Sequence, residues 1–89
     1  MENMLERMIT LGSKSGLHAR PAAVFVQNAK GFQSQITLFR NDKTANGKSI
    51  LSVLSLGAEQ GDQVTLKAVG DDAEFAIDTL ASLLEGELG

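Results

Sequence analysis

The apolar residues of this chain change their spacing along its length, and each spacing admits one kind of element. Ala22, Phe25, Val26 and Ala29 recur at helical intervals. Val64, Leu66 and Ala68 instead alternate with Gln63, Thr65 and Lys67, as a strand with one buried face does. Ile36 and Leu38 alternate in the same way, and Ala76, Leu80, Leu83 and Leu84 return to the helical interval. Strands that bury a single face need a second layer, and the helical segments between them can supply it.

Small and polar residues set the boundaries. Leu5, Ile9 and Leu11 share one parity, interrupted by Arg7, and predict a half-buried first strand. Gly12-Ser13-Lys14-Ser15-Gly16 reads as a loop. Pro21 sits near the front of the first helix, where its missing N–H costs little. Gly31 is placed to end that helix as a left-handed cap. Asn41-Asp42 turns the second strand into a short third one, Thr44 to Asn46. Ser49 precedes the run from Ile50 to Leu56 and Gly57 follows it, which predicts a helix of about two turns. Gly61-Asp62 is a turn. Gly70-Asp71-Asp72 is another, and it puts acids at the head of the last helix, where the dipole favours them. Gly86 lies near that helix's end. The order is therefore β-α-β-β-α-β-α. It predicts an α+β, two-layer sandwich with a mostly antiparallel four-stranded sheet and three helices over its buried face.

The 89 residues fit a single domain, 1–89, with no linker or repeat. Hydrophobic residues make up 43%, enough for a core without the help of disulfides, since there is no cysteine. The formal net charge of −3 argues against a nucleic-acid binder, which carries a basic face. No apolar run reaches the ~20 residues of a membrane span, and MENMLERMIT lacks the apolar stretch of a signal peptide. These features predict a cytoplasmic protein with no membrane insertion.

His18 is the only histidine, and its neighbours give it a chemistry. It stands at the expected start of the first helix, after the glycine loop. The N–H groups of a first turn, here those of Ala19 and Arg20, form an anion cradle with the positive end of the dipole. The Arg20 guanidinium adds a charge shaped for phosphate oxygens. A neutral imidazole nitrogen is a nucleophile near neutral pH. The combination is that of a reversible phosphohistidine. There is no second histidine, no cysteine, no evident acid beside His18 and no Walker-type loop, so a self-contained hydrolase or metal site lacks parts. Ser49 reads first as a helix cap, worth roughly 1 kcal/mol.

Gly16-Leu17-His18-Ala19-Arg20-Pro21-Ala22-Ala23 resembles the active-centre signature of the HPr family, the phosphocarriers of the bacterial phosphoenolpyruvate-dependent sugar phosphotransferase system. Lys48 to Gly57 is similar to that family's regulatory segment. The resemblance implies an open-faced β-sandwich with strand order 1-4-2-3. It implies that His18 takes a phosphoryl group on Nδ1 from phospho-enzyme I and passes it to sugar-specific permease components, as a carrier and not an enzyme, with no cofactor. Arg20 would contact the phosphate. Ser49 would be phosphorylated by a dedicated HPr kinase, and transcriptional regulators join the implied partners. Ala23, Gln27, Ile50, Leu51 and Leu54 would form the docking surface of a monomer. Gly47 stands where the family more often has a larger residue and is expected to loosen the approach to Ser49. Two alternatives stay open: the nitrogen-related branch of the family, and a regulatory binding module in which His18 is idle.

Overall fold

The computed structural model describes residues 3–12, 14 and 16–86. Its elements are β1 (Asn3–Thr10), α1 (Ala19–Ala29), β2 (Gln35–Arg40), β3 (Lys43–Asn46), α2 (Ile50–Leu54), β4 (Gln63–Gly70) and α3 (Ala73–Glu85). The order is the one expected. The four strands form one sheet in the order β1-β4-β2-β3, and all of its pairs are antiparallel, not merely most of them.

The alternation in β4 explains the layering. Val64, Leu66 and Ala68 are buried, and the register sets Leu66 opposite Arg7 on one side and Leu38 on the other. Ile36, Leu38 and Ala45 continue that face across the sheet. The helices close over it with Ala22, Phe25, Val26 and Ala29 from α1, Val53 from α2, and Ala76, Ile77 and Leu80 from α3. Most of these side chains are fully removed from water, and such burial contributes about 1.5–3 kcal/mol for each large aliphatic or aromatic residue. Leu83, expected in the buried stripe of α3, packs against the core only partly buried.

The first strand departs from expectation. Ile9 and Leu11 are buried, but Leu5 remains 36% exposed, and Leu11 lies just past the strand's end. Arg7, on the same side, donates to Asp78 of α3 at 2.8 Å. The face of β1 thus meets an ion pair on α3 where apolar packing was expected, and parity alone could not distinguish the two.

Two glycines also differ. Gly31 is not left-handed: α1 ends by tightening, with the Gly31 N–H donating to the Asn28 carbonyl and the Phe32 N–H to that of Ala29. Gly47 does not loosen the path to Ser49. It is buried, its N–H donates to the Ile36 carbonyl at 2.8 Å, and a Cβ there would lie 2.5 Å from Ile36 Cγ2. A larger residue would collide with the second strand.

Candidate functional site

His18 caps α1 from an extended backbone conformation (φ −84°, ψ −170°). Its carbonyl accepts the Ala22 N–H at 2.9 Å, while its ring makes no capping bond and is largely exposed. The imidazole is therefore presented to solvent at the positive end of the helix, as the sequence led one to expect. Pro21 supplies no N–H, so the first-turn donors of α1 are the peptide groups of Ala19 and Arg20.

The segment that carries His18 is stapled to the turn after α2. Buried Leu17 donates its N–H to the Ala58 carbonyl at 2.9 Å. Gly16 has φ +63°, and a Cβ there would lie 2.5 Å from the Ala58 oxygen and 2.6 Å from the Glu59 Cα, so glycine alone fits both the conformation and the space. Further along, the Leu11 N–H donates to the Asp62 carbonyl at 2.9 Å and the Gly61 N–H to that of Leu11 at 3.0 Å.

This staple brings an acid to His18 that local sequence gave no sign of. Oε1 of Glu59 lies 3.2 Å from Nε2 of His18. The expectation of no evident acid beside the histidine is thereby corrected. The two residues are 41 positions apart, and only the tertiary pairing of the loops joins them. The turn bearing Glu59 is itself tied down. Asp62 Oδ2 accepts the Glu59 N–H at 2.8 Å and Arg40 Nε at 3.1 Å, and another Arg40 nitrogen donates to the Leu56 carbonyl at 3.1 Å. The Glu59 N–H, with the Arg40 guanidinium acting in the same sense against partial burial, holds Asp62 below the usual carboxylate range.

Ser49 does the structural work its position suggested. It is the N-cap of α2, and its hydroxyl oxygen accepts the Ser52 N–H at 3.3 Å. The hydroxyl of Ser52 turns back to accept the Asn46 N–H at 2.8 Å, and Lys48 Nζ donates to the Phe32 carbonyl at 2.7 Å, so the start of α2 is anchored to the strand before it and to the end of α1.

The five candidate docking residues separate by exposure. Ala23, Gln27 and Ile50 come together with Val26 and Lys30 to line a groove between α1 and α2. Leu51 stands 81% exposed outside that lining, and Leu54 is half-buried against the core. Val53 and Leu56, being fully buried, force their neighbours outward. Lys30 was not foreseen in the groove; as the last basic residue beside α1 it carries no distinguishing sequence signal. Among the described residues no cluster of His, Cys, Asp and Glu could hold a metal ion, and no helix is long and apolar enough to cross a membrane.

Comparison with known proteins places this geometry. The family model described as PTS HPr component phosphorylation site matches residues 5–86. The phosphocarrier protein HPr of Vibrio cholerae is 39% identical over 82 residues, which are 92% of this chain and 96% of that protein. The HPr-like protein Crh of Bacillus subtilis is 40% identical over 85 residues, 96% of this chain and all of the relative. A crystal structure of the phosphocarrier protein HPr from Bacillus anthracis is similar with a TM-score of 0.89 at 40% identity, covering 91% of this chain and 96% of that one. With its strand order, its helix-heading histidine and these relatives in agreement, the chain belongs to the HPr family of phosphocarrier proteins.

Proposed function

We propose that His18 is the phosphoryl acceptor of a protein-to-protein carrier. It takes the group from phospho-enzyme I on Nδ1 and donates it to sugar-specific permease components. The observation that carries this reading is the exposed imidazole at the head of α1, beside the first-turn peptide groups of Ala19 and Arg20, in a chain of this family. A helix start of this kind favours the negative charge that arrives with phosphate. The phosphohistidine is an intermediate of transfer and not of turnover; the partners supply the remaining chemistry. Ala23, Gln27 and Ile50, in the groove beside the histidine's helix, receive those partners, with exposed Leu51 and half-buried Leu54 at the edge. Phosphorylation of Ser49 by an HPr kinase, with transcriptional regulators reading the result, adds charge next to that groove. The carrier acts as a cytoplasmic monomer, as the family resemblance implies.

Incubation with phosphoenolpyruvate and enzyme I tests the reading. The expected product carries an acid-labile, base-stable phosphate that His18→Ala abolishes. Unlabelled wild-type protein, or equal label on the variant, would remove it. A regulatory module is the second reading, favoured by one observation: Bacillus subtilis Crh, described as a catabolite repression HPr, is 40% identical to this chain, close to the 39% of the Vibrio cholerae phosphocarrier. In that case His18→Ala leaves partner binding and function intact.

A further inference from the structure

The fold sets the backbones of His18 and Glu59 side by side, and their exposed side chains meet there. Both backbones are fixed. Leu17 is held by Ala58, Gly16 packs on the Glu59 Cα, and the Glu59 N–H is captured by Asp62, which Arg40 also holds. A carboxylate 3.2 Å from one imidazole nitrogen decides what the other can do. When Nε2 carries the hydrogen it donates to Glu59, and the lone pair is then on Nδ1. Exposure of both side chains, 60% and 62%, keeps the pair weak as a source of stability. Its place beside the acceptor ring gives it another use.

We propose that Glu59 is a positioning residue for phosphoryl transfer: its carboxylate takes the Nε2 hydrogen of His18, leaves Nδ1 to attack phosphorus, and faces the positive charge the ring then acquires. This rests on the carrier reading above. In acceptance, the Nδ1 lone pair forms the N–P bond, the bond from phosphorus to the donor breaks, and that bond's electron pair leaves with the donor protein. Nε2 keeps its hydrogen, so the ring becomes a phosphorylated imidazolium. Donation reverses these steps and returns a neutral ring. No proton leaves the His18–Glu59 pair in either direction, and the carboxylate remains opposite the charge throughout.

The test uses the full chain labelled with 15N, with Glu59→Ala and Glu59→Gln. Wild-type ring-nitrogen shifts are expected to report hydrogen on Nε2, with exchange of that hydrogen slowed. Glu59→Ala should mix the two ring tautomers and lower kcat for phosphorylation by enzyme I roughly fivefold with KM unchanged, the scale of one exposed charge at short range. Glu59→Gln keeps an acceptor without the charge; it should preserve the tautomer and recover part of the rate. Wild-type shifts and rate in Glu59→Ala overturn the proposal. So does a rise in KM alone, which would make Glu59 a docking contact. Wild-type protein that takes no label at His18 removes the carrier reading, and the transfer role with it, even where the ring shifts retain the pair.

Discussion

Arg40 Nε and the Glu59 N–H converge on a single oxygen of Asp62, at 3.1 Å and 2.8 Å, so one carboxylate joins the end of β2 to the turn that faces His18. This pair has a pH consequence. Asp62 titrates below its ordinary value of 3.8 in the folded chain because the Glu59 N–H, and then Arg40, favour its charged form. Asp72 is lowered too, chiefly by the Ser34 hydroxyl and the Gln33 N–H. A depressed folded value contributes stability that is complete above the unfolded value and lost as pH falls through the folded one. The thermal unfolding midpoint should therefore be level from neutral pH downward and fall below about pH 4. Asp62→Asn should lower stability at neutral pH and flatten that acid limb; an unchanged limb would place the dependence elsewhere.

Gly16→Ala tests the staple. The new methyl group would meet the Ala58 oxygen and the Glu59 Cα in a left-handed backbone. The expected loss is about 1–3 kcal/mol in chemical denaturation. Phosphoryl acceptance should fall as well, because the 16–18 segment must move away from Glu59. Gly57→Ala is the control, since it shares a positive φ but has open space around it, and it should leave acceptance unchanged.

Neighbouring leucines should give opposite results. Leu56 is fully buried, so Leu56→Ala should cost about 2–5 kcal/mol. Leu51 is 81% exposed, so Leu51→Ala should stay within about 0.5 kcal/mol of wild type while weakening association with enzyme I. Denaturant titration and calorimetric binding measure the two effects. Loss of stability without loss of binding in Leu51→Ala would return that residue to the core.

Ser49 separates capping from regulation. Its bond to the Ser52 N–H is long, 3.3 Å, so Ser49→Ala should cost little, about 0.5 kcal/mol at the lower end of capping effects. Ser49→Asp keeps an acceptor at the cap and adds charge near Ile50. It should retain stability and weaken binding to enzyme I, measured by calorimetry. Equal binding by both variants would leave Ser49 a cap and nothing more.

Much of this molecule was legible because its signals are local. Ala22, Phe25, Val26 and Ala29 are all buried on α1, and Ser49 caps the short helix as its chemistry suggests, although that helix ends at Leu54 with Ser55 as its C-cap, short of the expected Leu56, and left-handed Gly57 lies beyond it. His18 could be found because a helix start, an arginine and a glycine loop lie within a few residues of it. What escaped depends on tertiary pairing. Leu5 shares a parity with Ile9, but whether that parity meets apolar packing or Asp78 depends on where α3 crosses β1. Gly31 and Gly47 are the same residue in sequence, yet one ends a helix without a left-handed turn and the other lies against Ile36. Glu59 is one of several exposed acids until the turn after α2 is laid against Leu17. The strand order came from family resemblance, because alternation tells which face a strand buries and not which strand lies beside it.

That order governs when the chain can fold. β1 has one neighbour in the sheet, β4, and Asn3 is opposite Gly70. Chain emerging from a ribosome presents β1 and the histidine before the strand that receives β1, which follows only after α1, β2, β3 and α2. The turn that braces His18 comes just before that strand. Closing these distant contacts costs loop entropy before any sheet is gained, which slows folding relative to a helical bundle of the same length. A nascent chain halted before β4 would hold His18 without the scaffold that aims it, so the geometry of the proposed acceptor is complete only once β4 has been made.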